Sequence, residues 1–460
     1  MATALALALW LAALLCSCFC GTARGDTLVL VQVMHRHGAR WPIVSYNATA
    51  LCEGSTRICG QLNEEGRLML EGLGRYLRER YGSFLERPQN YSQLQTYTRS
   101  TRLDRTIQSA DALLRGLYPE LDAFYPVVNT VEFALDLLLL VDAQMSFHIP
   151  GVLHKWPGFR YPAQRFTAEE LRAMGREAQQ YANCVDGDLS DKLQYMECAL
   201  RLQDIAASWR AVGQLSNGSY PTMAQAWAAL EEYRREFNAR LFLYDPADPV
   251  MVQRGNLGYN LASETARNMY AAVGLLPPLP QFTRLVEYSA HDTTYMPLAS
   301  AIGLNTPTYM LPQFGQAFIF ETYTNASGGP PYMRLLSGQP PQLPPRTGAY
   351  DYTVAEVAAH GMRPDGSTYT GGDGAACVTV EDFSRFVSST GPASHKGSCY
   401  LSEAVLKEIG CDTHSVPFDP VCVEYRTKCP QYGCPHGYVM DLGDLSCVKR
   451  PARRRRLRRI

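Results

Sequence analysis

Residues Val33 to Pro42 read VMHRHGARWP and place two arginines, a histidine and a glycine within five residues. The run that leads into them, Thr27 to Met34, is short and rich in leucine and valine, which is typical of a buried β-strand. The polar residues therefore stand at the carboxyl end of a strand, where open α/β sheets bind their ligands. This stretch predicts an α/β fold with a ligand site at the strand end.

The two arginines suit the binding of an oxyanion. Arg36 and Arg40 carry planar guanidinium groups that keep their charge and present a fork of donors to phosphate. His37 lies between them, and Gly38 has no side chain, so that backbone and anion can approach closely. An arginine, histidine and glycine after a strand can equally form a structural turn, so the rest of the chain has to distinguish the two interpretations.

The full pattern R-H-G-x-R-x-P, from Arg36 to Pro42, resembles the signature of the histidine acid phosphatases, the acid phosphatase and phytase branch of the histidine phosphatase superfamily. The resemblance implies an α/β fold with a mixed central sheet flanked by helices and an inserted, mainly helical cap domain. It also implies that His37 is phosphorylated during turnover.

A second basic motif is the string YTRSTRLDRTIQSA, residues 97–110. A short strand, Leu94 to Thr98, is predicted to end just before Arg99. The string resembles the family's second basic motif, and on that resemblance Arg99 is the third phosphate ligand. Arg102 and Arg105 are assigned to the scaffold, because a surface or ion-paired role is the default for arginine.

The third motif, AHDTT from Ala290 to Thr294, directly follows a predicted strand, Arg284 to Ser289. It matches the second half of the family's constellation, about 250 residues after the first half. The resemblance makes His291 a ligand of a phosphoryl oxygen and Asp292 the proton donor. The form His-Asp-Thr-Thr resembles animal acid phosphatases of the lysosomal and prostatic type. Two motifs in the expected order favour catalysis over a structural coincidence.

The predicted chemistry is hydrolysis of phosphate monoesters in two steps. The three arginines and His291 hold the phosphoryl oxygens and stabilise the charge that spreads over them as the bond breaks. His37, whose pKa nearby cations lower, forms a phosphohistidine. Asp292, whose pKa a dianionic substrate raises, protonates the leaving oxygen and then assists water. The sequence contains no metal or cofactor motif, so neither a metal nor a cofactor is expected.

Composition and pattern divide the chain into five parts. They are a signal peptide (1–23), an α/β core (26–130 and 276–400), a helical cap insertion (131–275), a Cys-rich extension (401–448) and a polybasic tail (449–460). The apolar N-terminal run ends in small residues, which favours a cleaved secretory signal over the alternative of an uncleaved anchor. No later segment is predicted to cross a bilayer.

Local patterns predict further features of the fold. Asn63 is the expected N-cap of an amphipathic helix, since apolar residues recur at spacings of three and four from Met69 to Phe84. The Gly- and Pro-rich stretch Ser337 to Ala376 predicts a loop or a disordered insertion. His35 replaces the side chain that the family usually carries and is predicted to point away from the site. Helical patterns fill the cap at residues 168–180, 193–212 and 221–241.

Charge argues against a nucleic-acid-binding surface. The formal net charge is -1, but eight positive charges lie in the tail, residues 449–460, so the rest of the chain carries -9. The like charges and low apolar content of the tail predict a disordered extension.

Cysteines and sequons predict the secretory pathway. Eleven cysteines remain outside the signal peptide, and in an oxidising compartment most of them should form disulfides. The C-terminal cysteines together with His436 also admit a zinc site, although their spacings do not form paired knuckles. Local spacing predicts the pairs Cys52–Cys59 and Cys184–Cys198, and the resemblance to mammalian enzymes implies Cys377–Cys399. Glycosylation sequons begin at Asn47, Asn90, Asn217 and Asn325.

The predicted function is a secretory-pathway acid phosphatase that is secreted, lysosomal or endosomal, or held at the cell surface. Two alternatives stay open, namely a phytase-like inositol phosphate phosphatase and a surface or binding protein that keeps the fold without activity. Turnover of any phosphomonoester would separate the enzymes from the binding protein. The expected partner is a phosphomonoester substrate and not a nucleic acid; a homodimer is compatible with the sequence.

Overall fold

The computed structural model describes residues 25–43, 58–85, 91–120, 126–132, 136–140, 160–179, 182–277, 283–345, 347–371, 377–411, 419–429, 434, 438–441 and 445–449. Predictions for the signal peptide, for Asn47, Asn90, Cys52 and His436, and for the tail beyond residue 449 lie outside these residues.

The strands of the described residues are β1 (Thr27–Arg36), β2 (Thr96–Ser100), β3 (Val128–Thr130), β4 (Leu285–Ala290), β5 (Ala317–Thr324), β6 (Tyr332–Gln339), β7 (Thr353–Val357), β8 (Ala359–Met362), β9 (Thr368–Gly371), β10 (Val378–Thr379), β11 (Tyr438–Met440) and β12 (Cys447–Lys449). Eight of them form one sheet with the order β10-β6-β5-β1-β4-β2-β3, and β7 pairs with β6. Neighbouring strands in the series β1, β4, β2 and β3 are parallel, whereas β5 is antiparallel to both β1 and β6. The predicted mixed sheet is therefore confirmed.

The α-helices of the described residues are α1 (Glu64–Tyr81), α2 (Asp104–Leu117), α3 (Ala168–Glu177), α4 (Ala182–Val185), α5 (Lys192–Ala211), α6 (Pro221–Phe242), α7 (Pro249–Arg254), α8 (Tyr259–Ala272), α9 (Asp292–Ala301), α10 (Val380–Ser389), α11 (Glu403–Glu408) and α12 (Pro420–Lys428). None of the helices described has the length and apolar content that a membrane span requires. The predicted N-cap of α1 is confirmed, since the Asn63 side chain accepts a hydrogen bond from the Gly66 amide.

Strand β1 is buried on both faces of the sheet. Val31 and Val33 pack into the core beneath α1 and α2, whereas Leu30 and Met34 pack into the opposite core with α8, α9 and α10. Successive strand residues point to opposite faces, so burial on both faces requires a nearly continuous apolar run. This explains the composition of the segment that precedes the first motif.

Register brings the carboxyl ends of three strands together. β1 and β4 are parallel, with Arg36 opposite Ala290. β2 is parallel to β4 on its other side, with Ser100 opposite Ser289. Parallel strands end at the same edge of a sheet, so the three motifs that follow these strands meet there.

The insertion has a core of its own. Helices α3 to α6 pack together through side chains such as Leu171, Ile205 and Phe237, close to the predicted helical segments. Helix α8 lies inside the limits expected for the cap but packs on the sheet through Leu261 and Met269. Its apolar face therefore belongs to the α/β layer.

The Gly- and Pro-rich stretch forms strands in its described part, so the predicted loop or disordered segment is wrong. β6 extends to Gln339, and β7 pairs with it, Ala355 lying opposite Ser337. β8 and β9 form a hairpin, and Ala359 of β8 is buried in the core. The Gly and Pro content predicts a loop, but pairing with β6 stabilises β7 as a strand. Such pairing between segments cannot be read from local composition.

Disulfides hold the C-terminal extension together. Val405 and Tyr425 are buried in a small core between its helices α11 and α12. Small modules commonly depend on such covalent links, since they bury little apolar surface. The pairs described are Cys399–Cys429, Cys411–Cys422 and Cys434–Cys447.

The other predicted disulfides have three outcomes. The pair Cys184–Cys198 is confirmed. The pair of Cys377 with Cys399 is wrong, because Cys399 bonds to Cys429 across the start of the extension. Cys59 is disulfide-bonded, but its expected partner lies outside the described residues.

Candidate active site

His37 occupies the first position after β1 and is almost fully buried. Its amide donates to the Ala290 carbonyl (2.8 Å), and its own carbonyl accepts from the Gly315 amide (3.0 Å). The backbone of the histidine is thus fixed between the end of β4 and the loop before β5.

One ring nitrogen of His37 is committed to the backbone. Nδ1 lies 2.8 Å from the carbonyl oxygen of Gly38. A carbonyl oxygen can only accept, so Nδ1 carries the proton and donates it. In the neutral ring Nε2 then keeps its lone pair, which makes it the nitrogen available to attack an electrophile.

Gly38 is held tightly between two helices. A Cβ atom at Gly38 would lie 2.2 Å from the carbonyl oxygen of Gly66 in the first turn of α1. The Gly38 amide donates to Ser109 Oγ of α2 (3.0 Å). The glycine is therefore required by helix packing, and the expected approach of an anion is not needed to explain it.

Arg36 contacts both the carboxylate and the aromatic wall of the site. Its Nη2 lies 2.9 Å from Asp292 Oδ2, and its Nη1 donates to the Pro312 carbonyl (2.7 Å). The guanidinium carbon stacks 4.2 Å from the centre of the Phe314 ring. The guanidinium is thus held by the Phe314 ring on one face and by a partner at each terminal nitrogen.

Arg40 is oriented by the cap. Its Nη2 lies 2.6 Å from Oδ1 of Asp204 on α5, and Oδ2 of the same carboxylate accepts from the Ile43 amide (2.9 Å). One cap carboxylate therefore holds both the side chain and the backbone of the first motif. Sequence reasoning missed Asp204, because the contact spans more than 160 residues.

His291 lies beside His37, with the ring centres 5.5 Å apart. Its Nε2 is 2.9 Å from Thr101 Oγ1, which also contacts Thr106 Oγ1 (2.7 Å). Thr101, directly after β2, thus orients His291, directly after β4.

Arg105, expected to be scaffold, belongs to this group. It lies in the first turn of α2, and its carbonyl accepts from Ser109 Oγ, the same hydroxyl that holds Gly38. After burial, its charge is the largest influence lowering the pKa of both His37 and His291. The signal available in the sequence was the position of Arg105 at a helix start directly after the strand.

The structure does not bring Arg99 to this group. Arg99 stands opposite Tyr288 in the β2–β4 register, and Tyr288 packs toward α8. Its Nη2 lies 2.6 Å from the buried carboxylate of Asp136. α2, which carries Arg105, packs against the other face of the sheet. The period of a strand explains the difference, since neighbouring residues point to opposite faces.

Unsatisfied donors indicate that the site accepts an anion. Within the described residues, the buried Nε atoms of Arg36, Arg40 and Arg105 have no hydrogen-bond partner. Single unpaired Nε atoms also occur elsewhere, as at Arg99, whereas the three at this site belong to arginines whose charges all act on His37, and such a group of donors suits a ligand. Phosphate oxygens supply the acceptors that guanidinium groups match best.

Burial and like charges keep both histidines neutral. Burial and the charges of Arg105 and Arg36 hold the pKa of His37 well below its usual range. Burial, together with Arg105, lowers the pKa of His291 to about 3. Burial also lowers the pKa of Arg36 to about 10, which still leaves the guanidinium charged in acid. His37 can thus stay unprotonated in acid, as the sequence predicts.

Asp292 is ionised in the unliganded site. Burial raises its pKa, but the charges of Arg36, Arg234 and Arg40 outweigh this effect and hold the pKa below its usual range. The raised pKa that the sequence predicts requires a bound dianion, which would compete for Arg36.

The His35 side chain is committed to a buried carboxylate; its predicted orientation away from the site stays a prediction. Its Nε2 lies 3.0 Å from Glu287 Oε1, and Glu287 Oε2 accepts from Thr98 Oγ1 (2.9 Å). All three side chains are buried within the sheet.

A cleft of about 80 Å³ opens from Arg36 between the core and the cap. Phe314 and Pro312 line its core side, and Trp227 of α6 with Arg210 of α5 lines its cap side. A group attached to a phosphate at Arg36 has this space available.

Fold and site together define an α/β protein whose buried arginines and histidines suit a phosphoryl group. The sequence profile of the histidine phosphatase superfamily (branch 2) matches residues 27–337, which is more than half of the chain, and the chain belongs to this family. The predicted family, fold class and enzyme class, a phosphoric monoester hydrolase, are confirmed at this level.

Relatives agree with that family. Lysosomal acid phosphatase of Rattus norvegicus is 28% identical over 306 residues, covering 66% of this chain and 69% of its own. Prostatic acid phosphatase of Homo sapiens is 26% identical over 340 residues, covering 69% and 82%. Among solved structures, Hafnia alvei phytase in complex with tartrate superposes with a TM-score of 0.53 at 15% identity, over 83% of this chain and 100% of that chain, a likeness of fold.

Proposed function

We propose that this chain is an acid phosphatase of the secretory pathway that hydrolyses phosphate monoesters through a phosphohistidine at Nε2 of His37. The observation that carries the proposal is the buried, neutral His37, whose Nδ1 is committed to the Gly38 carbonyl. Nε2 is left as the nucleophile beside unsatisfied arginine donors.

In the first step the Nε2 lone pair attacks phosphorus and the bond from phosphorus to the ester oxygen breaks. Arg36, Arg40 and Arg105 hold the phosphoryl oxygens, with His291 beside them, and stabilise the charge that develops. Arg105 takes the role that the sequence assigns to Arg99. Asp292 gives its proton to the leaving oxygen, so that an alcohol departs.

In the second step water attacks phosphorus, gives a proton to Asp292, and the bond from phosphorus to Nε2 breaks. Inorganic phosphate leaves, and both residues return to their starting forms. Asp292 must be protonated at the start of each cycle. A dianion at Arg36 favours this, because it offsets the positive charge that keeps the carboxylate ionised.

Quenching turnover in alkali tests the nucleophile. During turnover of a phosphomonoester labelled in its phosphoryl group, wild type should retain label that is stable in base and lost in acid, whereas His37→Ala should retain none and lose turnover. His395→Ala, at an exposed histidine, is the matched control and should behave as wild type. Label retained by His37→Ala would show that another residue is the nucleophile.

The secretory part of the proposal is supported by the disulfides and by the lysosomal and prostatic relatives. Asn217 begins a sequon in an exposed turn between α5 and α6. On expression in a eukaryotic host, the protein should lose mass on glycosidase treatment, and Asn217→Gln should lose less. An unglycosylated cytosolic product would contradict the proposal.

A further inference from the structure

Arg210 lines the cleft without a carboxylate counter-ion among the described residues, unlike Arg36 and Arg40. Arg36 pairs with Asp292 and Arg40 with Asp204. Arg210 lines the same cleft as Arg36, yet no carboxylate of the described residues lies within 4 Å of its guanidinium. In the part of the chain that the structure describes, no carboxylate at short range therefore neutralises this half-buried guanidinium.

The guanidinium is nevertheless held in place. Its Nη2 donates to the side-chain oxygen of Gln342 (3.0 Å), and its carbon atom lies 5.1 Å from the centre of the Trp227 ring. A planar donor fixed by a stack and one hydrogen bond is pre-organised, so less side-chain entropy is lost when it binds an anion.

One acidic residue shares the cleft. Glu231 lies one helical turn after Trp227 on α6, and burial raises its pKa against the opposing charges of Arg235 and Arg210. A carboxyl group that is partly neutral in acid and more than 4 Å away does not replace a bound anion at Arg210.

The remaining lining includes apolar side chains on both sides of the cleft. Phe314, Pro312 and Met69 face the cleft from the core, opposite the indole of Trp227. Phe314 and Trp227 offer apolar contact to an aromatic ring, and three glutamines, Gln203, Gln313 and Gln342, add polar groups to the lining.

We infer that this cleft is a leaving-group subsite for planar, apolar groups that carry an anionic substituent, and that Arg210 determines this specificity. The inference rests on the proposed function, because it takes the phosphoryl group to lie at Arg36. It names a substrate class, monoesters of acidic aromatic alcohols and phenols, that family membership does not supply.

Binding of a matched pair of phosphonates tests the charge preference without turnover. The pair is 4-carboxyphenylphosphonate and its neutral isostere 4-carbamoylphenylphosphonate, titrated by calorimetry into the whole protein. Wild type should bind the carboxylate roughly tenfold more tightly, the size of one charge-assisted hydrogen bond. Arg210→Gln should bind both equally, and Arg210→Lys should keep part of the preference.

Arg201→Gln is the matched control, since it removes an exposed arginine from the same helix and should leave the preference intact. Equal binding of both phosphonates by wild type, or an unchanged preference in Arg210→Gln, would overturn the inference; the wild-type ratio decides it even if the variant does not fold. Parallel assay of phenyl phosphate hydrolysis separates the proposals. Charge preference without hydrolysis overturns the proposed function alone, and hydrolysis without charge preference overturns the subsite alone.

Discussion

At the scale of single residues, the site depends on which atoms are already committed. His37 donates Nδ1 to a carbonyl, and Arg36 and Arg40 each give terminal nitrogens to a carboxylate while keeping a buried Nε unpaired. Committed atoms fix the orientation of a side chain, and in the proposed mechanism the uncommitted atoms are those that bind the substrate. This division is what a pre-organised phosphoryl site requires.

Asp292 should matter most for poor leaving groups. An alkoxide cannot depart unprotonated, whereas a nitrophenolate can, so Asp292→Asn should lose far more rate on glycerophosphate than on nitrophenyl phosphate. The measurement is a rapid-quench plot of log rate against leaving-group pKa. Arg40→Ala removes a contact common to all substrates and should shift every point alike. A slope no steeper in Asp292→Asn than in wild type would exclude the donor role.

Arg105 and Arg99 can be told apart by the same substitution. Lysine cannot reproduce a guanidinium fork on phosphate, but it can replace a single contact with a carboxylate. Arg105→Lys should therefore lower kcat/KM roughly 10- to 100-fold, while Arg99→Lys, which needs only to contact Asp136, should stay within a few-fold of wild type. The reverse order would restore Arg99 as the ligand.

At the scale of elements, α5 connects the cap to the first motif. Asp204 holds Arg40 and the Ile43 amide, while Arg210, farther along the same helix, faces the cleft. A single helix therefore orients Arg40, a proposed phosphate ligand, and lines the cleft that is proposed to hold the leaving group.

Asp204→Asn should lower kcat/KM by the same factor for every substrate. The amide nitrogen of asparagine cannot accept from Arg40, so the guanidinium should lose its orientation, and kcat/KM should fall roughly tenfold for alkyl and aryl phosphates alike. Inorganic phosphate should also inhibit less strongly. Asp186→Asn, at an exposed cap carboxylate, is the control. Unchanged kcat/KM and phosphate inhibition in Asp204→Asn would show that Asp204 serves stability alone.

At the scale of the whole molecule, burial of the neutral His291 lowers the free energy of unfolding in acid. The pKa of His291 is about 3 in the folded chain, against about 6.5 for an unfolded histidine. Between these values the unfolded chain binds more protons, so the free energy of unfolding falls as the pH falls from about 6.5. The loss between pH 7 and pH 5 is about 2 kcal/mol for this residue alone.

Urea unfolding at the two pH values, without phosphate, checks this dependence. His291→Asn cannot titrate, so its free energy of unfolding should fall by about 2 kcal/mol less than that of wild type over the same interval. His395→Asn, at an exposed site, should follow wild type. Equal pH dependence in wild type and His291→Asn would show that His291 is not held neutral by the fold.

The sequence by itself determined the family, the mixed α/β class, the helices of the insertion and the strand ends that carry His37, Arg40 and His291. These features are local, because apolar period, capping residues and short motifs are properties of neighbouring residues. The N-cap at Asn63 and the disulfide Cys184–Cys198 follow from short spacings in the same way.

Only the tertiary structure decided which arginine of the second motif joins the site, why Gly38 is a glycine, and that a cap carboxylate orients Arg40. Arg105 and Arg99 lie six residues apart in similar sequence surroundings. Arg99 lies in β2 and points to one face of the sheet, whereas Arg105 lies in α2, which packs on the other face. The packing of Gly38 on α1 and the contact of Asp204 with Arg40 join distant segments. Such contacts depend on register and helix docking, which are set by burial of the whole core; apart from the position of Arg105 at a helix start, the local sequence carries no signal for them.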